Sequence, residues 1–462
     1  MFIKSLKIKN FRLFSPEKYF EIEDINTPDN INEGSGLNVF VGENGSGKTA
    51  LLDALALPLL EYKTESVSIS DFNDPKNDIL IELYAKANFE VTKTITGSFK
   101  AHGFSFKANI RARDFKAYLS SMIILDRRFI QADGENIKED SPDLRVGVNN
   151  PWKSKRFDEN DVLFLDKNRI FQIRSGTYNT TRFDRLMEDF SYQYLKKTQV
   201  DNLNEELDTR IKKDKVENNF LSEAVKKFHE ISGSQIKLDF LDNYQPFKNA
   251  FFATKKDNNQ QILLDDLGSG YEMIFALLYS FYLAKQSGKQ LIILIDEPEL
   301  HLHPTLQEKF VKFLLEFSKE AQIILTSHSP LLVKQLFYNG NVRISIINNN
   351  GMDTSAIQKR VLPYISANET NYLAFNLATE EYHNELFEEL KFINGDDKKI
   401  KDFDNDYFVG EKKEPKKSPY KRNANEVSIH TFIRNQIHHQ KDNGKTEYNV
   451  LKTSIEKMRT FF

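Results

Sequence analysis

Residues 42–49 read Gly42-Glu43-Asn44-Gly45-Ser46-Gly47-Lys48-Thr49, the full pattern G-x-x-x-x-G-K-[ST]. Its chemistry is phosphate binding. The glycines let the backbone wrap an anion, so that several N–H groups point inward at a helix N-terminus. Gly42, Asn44, Gly45, Ser46, Gly47, Lys48 and Thr49 are therefore the candidate nucleotide-binding residues. Lys48 is placed to reach the β- and γ-phosphates of ATP, and Thr49 to ligate magnesium (Mg2+). Far along the chain, Asp296 and Glu297 end an apolar run. A carboxylate at a strand end can hold the metal through water, and the next carboxylate can polarise an attacking water. His328 follows the next apolar run and can contact the γ-phosphate. The plainer alternatives are a helix-capping carboxylate pair and a structural histidine. Upstream, Leu267-Gly268-Ser269-Gly270-Tyr271-Glu272 is a small-residue loop feeding a helix, a second ready anion site.

Chemistry at these positions needs strands that stop at the right place. Residues 37–41 read as a buried strand entering the phosphate loop, and residues 49–55 as a helix that Pro58 ends or kinks. Residues 291–295 are wholly apolar, as in a central parallel strand covered on both faces. Residues 273–284 and 306–317 have helical apolar spacing; residues 323–326 and 342–347 read as further strands. Residues 79–125 alternate apolar with polar and predict antiparallel strands completing the same domain. Their basic residues, among them Lys107, Arg111 and Arg113, make either a solvated face or a nucleic-acid or partner surface. Residues 130–160 read as loop, and 183–230 as a charge-rich helical hairpin. Residues 391–427 read as a polar, lysine-rich mobile linker before a last amphipathic helix bearing Ile429, Phe432, Ile433 and Ile437.

The division that follows is 1–125, first part of the ATPase head; 126–235, inserted loop and hairpin; 236–360, second part of the head; and 361–462, a helical C-terminal domain. The chain of 462 residues is 40% hydrophobic, enough for a sizeable core, and its net charge of −3 gives no global pull toward nucleic acid. It has no cysteine, which excludes disulfides and thiolate chemistry and suits the reducing cytoplasm. No apolar run approaches the ~20 residues that span a bilayer, and the N-terminus lacks a signal-peptide core, so no membrane association is expected.

With "LGSGYE" standing where transporters carry "LSGGQ", and a histidine after the following strand, the chain resembles ABC-type ATPases. Residues 8–14 resemble the opening strand and turn of the SMC, RecF and OLD class of these enzymes. The resemblance implies an α/β fold: an ABC-type P-loop ATPase head with an inserted helical hairpin and a mainly helical C-terminal domain. It further implies an ATP-dependent homodimer, or a higher oligomer, in which Ser269 and Gly270 of one head close on the nucleotide of the other. It makes Glu297 and His328 catalytic, and Thr49 and Asp296 the metal residues. His301 and His303 stand where this class has its dimer-facing turn, which speaks against a metal site there.

The tail of about 100 residues reads as too short and too helical for the nuclease domain that OLD enzymes carry there, and no acidic motif for one is found, so none is expected. Instead "SANETNYLAFNLATEEYHNEL" and "FIRNQIHH" resemble the PtuA-like ATPases of Septu and retron-associated antiphage defence systems. That resemblance implies a chain that senses infection and restrains or activates a partner HNH nuclease (PtuB-like). In retrons it also implies a reverse transcriptase and its RNA–DNA hybrid (msDNA). Two alternatives stay open. Arg434 and His439 fit the R-x4-H pattern of HEPN ribonucleases, which would make the tail an ATP-gated RNase. The head alone would also suit a RecF-like DNA-repair ATPase.

Overall fold

The computed structural model describes residues 2–59, 66–68, 71–74, 77, 79–86, 106–113, 116–124, 145–147, 160–165, 173–175, 178–180, 220–234, 236–238, 251–254, 261–263, 268–286, 288, 290–348, 351–353, 359–416, 418–419, 425–439 and 445–462. Two compact units divide the chain. One comprises Met1–His328 and Asn339–Asp353; the other comprises Ser329–Tyr338 and Thr354–Phe462.

The first unit is built on two sheets. Strands β1 (Phe2–Lys9), β2 (Phe20–Ile22), β5 (Leu80–Lys86), β6 (Phe106–Arg113) and β7 (Lys116–Ile124) form an antiparallel sheet in the order β2-β1-β5-β7-β6. The alternation across residues 79–125 thus appears as antiparallel pairing. A six-stranded sheet holds β3 (Leu37–Val41), β9 (Asn160–Leu165), β15 (Gln290–Asp296), β16 (Gln322–Ser327), β17 (Arg343–Asn348) and β18 (Gly351–Asp353). Its order is β18-β17-β3-β16-β15-β9, parallel except for β18. β3 and β16 are buried at every residue, as strands sandwiched between layers must be. Gln322 joins the two sheets: its amide donates to the Ile3 carbonyl at 2.7 Å and accepts from the Ile3 N–H at 2.8 Å. Of the region read as loop, Arg145–Gly147 forms β8, paired with β4 (Ser66–Ser68). Short strands β10 (Ile173–Ser175), β11 (Tyr178–Thr180), β12 (Ile236–Leu238), β13 (Phe251–Thr254) and β14 (Gln261–Leu263) make two further small sheets. Most of the expected hairpin lies outside the described residues; Phe220–Ser232 is helix α2.

Helix α1 (Lys48–Leu59) runs one residue past Pro58, which its last turn accommodates. Helix α3 (Ser269–Gln286) is buried continuously from Met273 through Phe281, in keeping with its lack of a polar face. Helix α4 (Pro304–Phe317) buries Leu306, Phe310, Phe313, Leu314 and Phe317, and connects β15 to β16. No helix among the described residues is long and apolar enough to cross a membrane.

The second unit is mainly helical: α5 (Pro330–Phe337), α6 (Ala367–Phe375), α7 (Glu380–Gly395), α8 (Ile400–Phe403), α9 (Ile429–His438) and α10 (Tyr448–Arg459). Here the linker reading of 391–427 is corrected. A π-helix, Asp404–Glu411, follows α8, and Phe403, Tyr407 and Phe408 enter one core with Leu386, Phe387, Ile433, Ile455 and Met458. Asp402, Asp406 and Glu411 are exposed and Lys412 sits over the Tyr407 ring at 4.9 Å, while the buried Asp404 accepts the Ser428 N–H at 3.2 Å and the Thr431 hydroxyl at 2.6 Å. Burying such an aromatic contributes about 1.5–3 kcal/mol against a total stability of only 5–15, so the segment is part of the fold. A buried ion pair closes the unit. Arg459 donates to Glu369 at 2.9 Å and to the Tyr382 hydroxyl, while Glu369 also accepts the Val361 N–H at 2.7 Å.

Candidate functional site

β3 delivers its last residue, Val41, beside Ser327 of β16, so the phosphate loop and the histidine turn leave the same sheet edge. Gly42 has φ of 150°, and a Cβ built there would lie 2.2 Å from the Ile347 carbonyl oxygen. No side chain fits at this position. Ser46 is buried, while Asn44 and Gly45 stand exposed on the rim. Lys48 is only 4% exposed. Its ammonium donates to the carbonyls of Gly42 (2.9 Å) and Glu43 (2.8 Å) and to Ser46 Oγ (3.3 Å), which holds it across the mouth of the loop.

Thr49, the second residue of α1, donates from Oγ1 to Asp296 Oδ2 at 3.0 Å. Thr326 donates to the other oxygen, Oδ1, at 2.5 Å, because parallel pairing sets Asp296 opposite Thr326. Asp296 is fully buried at the end of β15. The hydroxyl–carboxylate pair is a hard-oxygen set. It suits magnesium, which keeps most of its waters and takes only one or two protein oxygens beside phosphate. Among the described residues no cluster of three or more metal-binding side chains exists, so a self-sufficient metal cage is not on offer.

Glu297 has left-handed backbone angles, φ 46° and ψ 61°. For a non-glycine residue this costs about 1–2 kcal/mol. Two contacts at 3.2 Å, to the Thr326 carbonyl and hydroxyl, hold its N–H. The turn aims the carboxylate at His328, with Oε1 3.3 Å from Nε2. Pro298–His301 then forms a 3-10 turn. Within it Glu299 points back to the strand end: Oε1 accepts Ser327 Oγ at 3.0 Å and the His328 N–H at 2.5 Å. Burial pushes the Glu299 carboxyl above the ordinary range, against the pull of those donors.

The "LGSGYE" segment starts α3 at Ser269. A Cβ on Gly270 would lie 2.2 Å from the His301 carbonyl oxygen, so this helix start packs directly on the 3-10 turn. The structure thus gathers Gly42–Thr49, Asp296, Glu297 and His328 at one sheet edge, and ties Gly270 to the turn beside them. His303 caps α4, its Nδ1 2.9 Å from Thr305 Oγ1.

Sequence reasoning missed four contributors. Thr326 and Glu299 are described above. Arg12, with φ 50°, donates to Asp71 at 2.8 Å and to Asp53, one turn along α1 from Thr49. Phe14 lies against Gly47, its ring 3.4 Å from where a Cβ would be. The segment Asn10-Phe11-Arg12-Leu13-Phe14 was the signal for the last two. The tail pair fares differently. Arg434 donates from Nε and Nη2 to Glu388 Oε1 at 3.3 and 3.2 Å, and lies over the Phe387 ring. His439 is exposed just past the end of α9, and Asn435 is buried.

Known proteins are similar in sequence to this chain over about two thirds to three quarters of its length. An "OLD nuclease" of Thermus scotoductus is 25% identical over 355 residues, 71% of this chain and 59% of that protein. "Septu protein PtuA" of Bacillus mycoides is 23% identical over 317 residues, 67% and 36% of the two chains. A "Retron Vc95 probable ATPase" of Vibrio cholerae is 21% identical over 407 residues, 74% of each. The chain thus spans 59% of the length of the OLD nuclease it matches. The resemblance to Septu and retron-associated ATPases read from "LGSGYE" and the tail is met among these relatives. The family model described as "AAA domain, putative AbiEii toxin, Type IV TA system" matches residues 37–334, from the strand before the phosphate loop to past the histidine turn, and the chain belongs to that family of ATPase domains.

Proposed function

We propose that the chain is the ATP-hydrolysing subunit of an antiphage defence system in the cytoplasm, and that its nucleotide state gates a partner nuclease. The observation that carries the ATPase reading is the set Lys48, Thr49, Asp296, Glu297 and His328 at one sheet edge, with Glu297 turned toward His328 at 3.3 Å. Lys48 binds the β- and γ-phosphates. Thr49 and Asp296 are the residues that would hold magnesium, which when bound neutralises charge on the phosphate oxygens. Glu297 orients the attacking water and takes its proton, and His328 positions Glu297 and meets the γ-phosphate. Ser269 and Gly270 act on the nucleotide of a second copy in a head-to-head dimer.

The defence reading is supported by relatives named as Septu and retron proteins. On that reading the nuclease is an HNH enzyme (PtuB-like), and in a retron setting a reverse transcriptase and its RNA–DNA hybrid complete the assembly. Residues 361–462 are the proposed docking domain. The engagement of Arg434 by Glu388 supports a packing role for the R-x4-H segment over a catalytic one.

The test is a nuclease assay on the purified chain alone, with tRNA, single-stranded DNA and duplex DNA, with and without ATP and magnesium, beside His439→Ala. The expected result is ATP turnover without cleavage. RNA cleavage lost in His439→Ala would replace this reading with an ATP-gated ribonuclease.

A further inference from the structure

Glu299 is the least comfortable group beside the site. It is largely buried, and of its two oxygens Oε2, shut off from solvent, has no hydrogen-bond partner among the described residues. Leaving a buried carboxylate oxygen unpaired costs stability. A residue chosen only to fill the space beneath the turn would avoid that cost; an apolar side chain would sit there more easily. The other oxygen, Oε1, takes two donors at once, Ser327 Oγ and the His328 N–H. Those two residues end β16 and carry the histidine. The carboxylate itself belongs to the 3-10 turn that Glu297 begins, and the same turn meets the signature helix where Gly270 approaches the His301 carbonyl.

We propose that Glu299 is a positioning residue for ATP hydrolysis: by accepting the His328 backbone N–H and the Ser327 hydroxyl, it locks the histidine turn to the turn that carries Glu297. Two segments that leave neighbouring strands are thereby fixed as one body, and the 3.3 Å approach of His328 Nε2 to Glu297 Oε1 is set from behind by the backbone. Glu299 acts through His328, whose backbone N–H it accepts. The same latch gives the signature helix a mechanical route to the catalytic pair, since displacing His301 moves Glu299 two residues earlier. This inference rests on the ATPase reading above.

The test compares ATP turnover, KM and nucleotide affinity in Glu299→Gln, Glu299→Leu, His328→Ala and the double variant Glu299→Leu/His328→Ala. Glu299→Gln keeps an oxygen acceptor at the same reach, so kcat should stay within about threefold of wild type. Glu299→Leu removes the acceptor; kcat should fall at least tenfold, with KM and ATP affinity within threefold. In the His328→Ala background the Leu substitution should cost less than twofold more, because its effect runs through the histidine. Should Glu299→Leu fail to fold, Glu299→Asp, one methylene too short to reach the His328 N–H, carries the same comparison. Wild-type kcat in Glu299→Leu, a loss that multiplies in full upon His328→Ala, or a Gln variant as slow as the Leu variant would each overturn the proposal. Failure of the ATPase reading looks different: the wild-type chain itself would show no magnesium-dependent turnover.

Discussion

Thr326 makes three contacts that no sequence pattern announces. It donates to Asp296, and its carbonyl and hydroxyl both accept the Glu297 N–H. One residue thereby steadies Asp296, the proposed metal carboxylate, and the strained turn of Glu297, the proposed water-orienting one. Thr326→Val keeps the shape and removes the hydroxyl. We expect kcat to fall about tenfold or more, equivalent to ~1.4 kcal/mol at the transition state, with ATP affinity within threefold. Steady-state kinetics beside equilibrium nucleotide binding checks this; an unchanged kcat would show that the hydroxyl is dispensable. The contrast with Gly42–Thr49 is instructive. That loop was readable because its chemistry lies in consecutive residues. Thr326, Glu299 and Arg12 work through strand register and turn geometry, where partners lie 30, 28 and 41 positions apart.

At the scale of elements, the head strands were legible because a strand buried on both faces must be apolar along its middle, and residues 39–41 of β3, 291–295 of β15 and 323–325 of β16 are. The segment 391–427 misled because its hydrophobic residues are few and set among lysines and acids. Three aromatics at 403, 407 and 408 suffice to anchor it. The core they join also holds a buried polar string: His383 Nε2 lies 2.9 Å from Ser454 Oγ, which lies 2.7 Å from His430 Nδ1. Burial holds the His383 imidazole well below its ordinary range and lowers His430 to about 4, with Lys457 adding to the effect on His430. Both rings are therefore neutral in the folded chain and take up protons near 6.5 once unfolded. The unfolded state therefore binds more protons below that pH, so stability falls as pH drops from about 6.5 toward 4. Each histidine contributes up to about 1.4 kcal/mol per pH unit in that window. Urea unfolding followed by circular dichroism at pH 7.5 and 5.5 should show the loss. It should shrink in a His383→Asn/His430→Asn variant; an equal loss in the variant would assign the acid sensitivity elsewhere.

At the scale of the whole molecule, the proposed dimer makes a quantitative demand. In a head-to-head sandwich each nucleotide needs the phosphate loop of one copy and the signature of the other. Gly270 is a poor place to break the signature, because any side chain there strikes the His301 carbonyl of its own subunit. Ser269→Arg is the better variant. Equal amounts of Lys48→Ala and Ser269→Arg chains, each inactive alone, should recover about a quarter of wild-type turnover, since half the dimers are mixed and each mixed dimer has one intact site. No recovery would argue against sites shared between copies.

Glu297 is the proposed residue that orients water at the ATP site, and the direct measure of that role is magnesium-dependent ATP turnover by Glu297→Gln beside wild type, with ATP binding measured on the same samples. The geometry predicts that the variant binds ATP as tightly as wild type and hydrolyses it at least a hundredfold more slowly. Wild-type turnover in Glu297→Gln would contradict it.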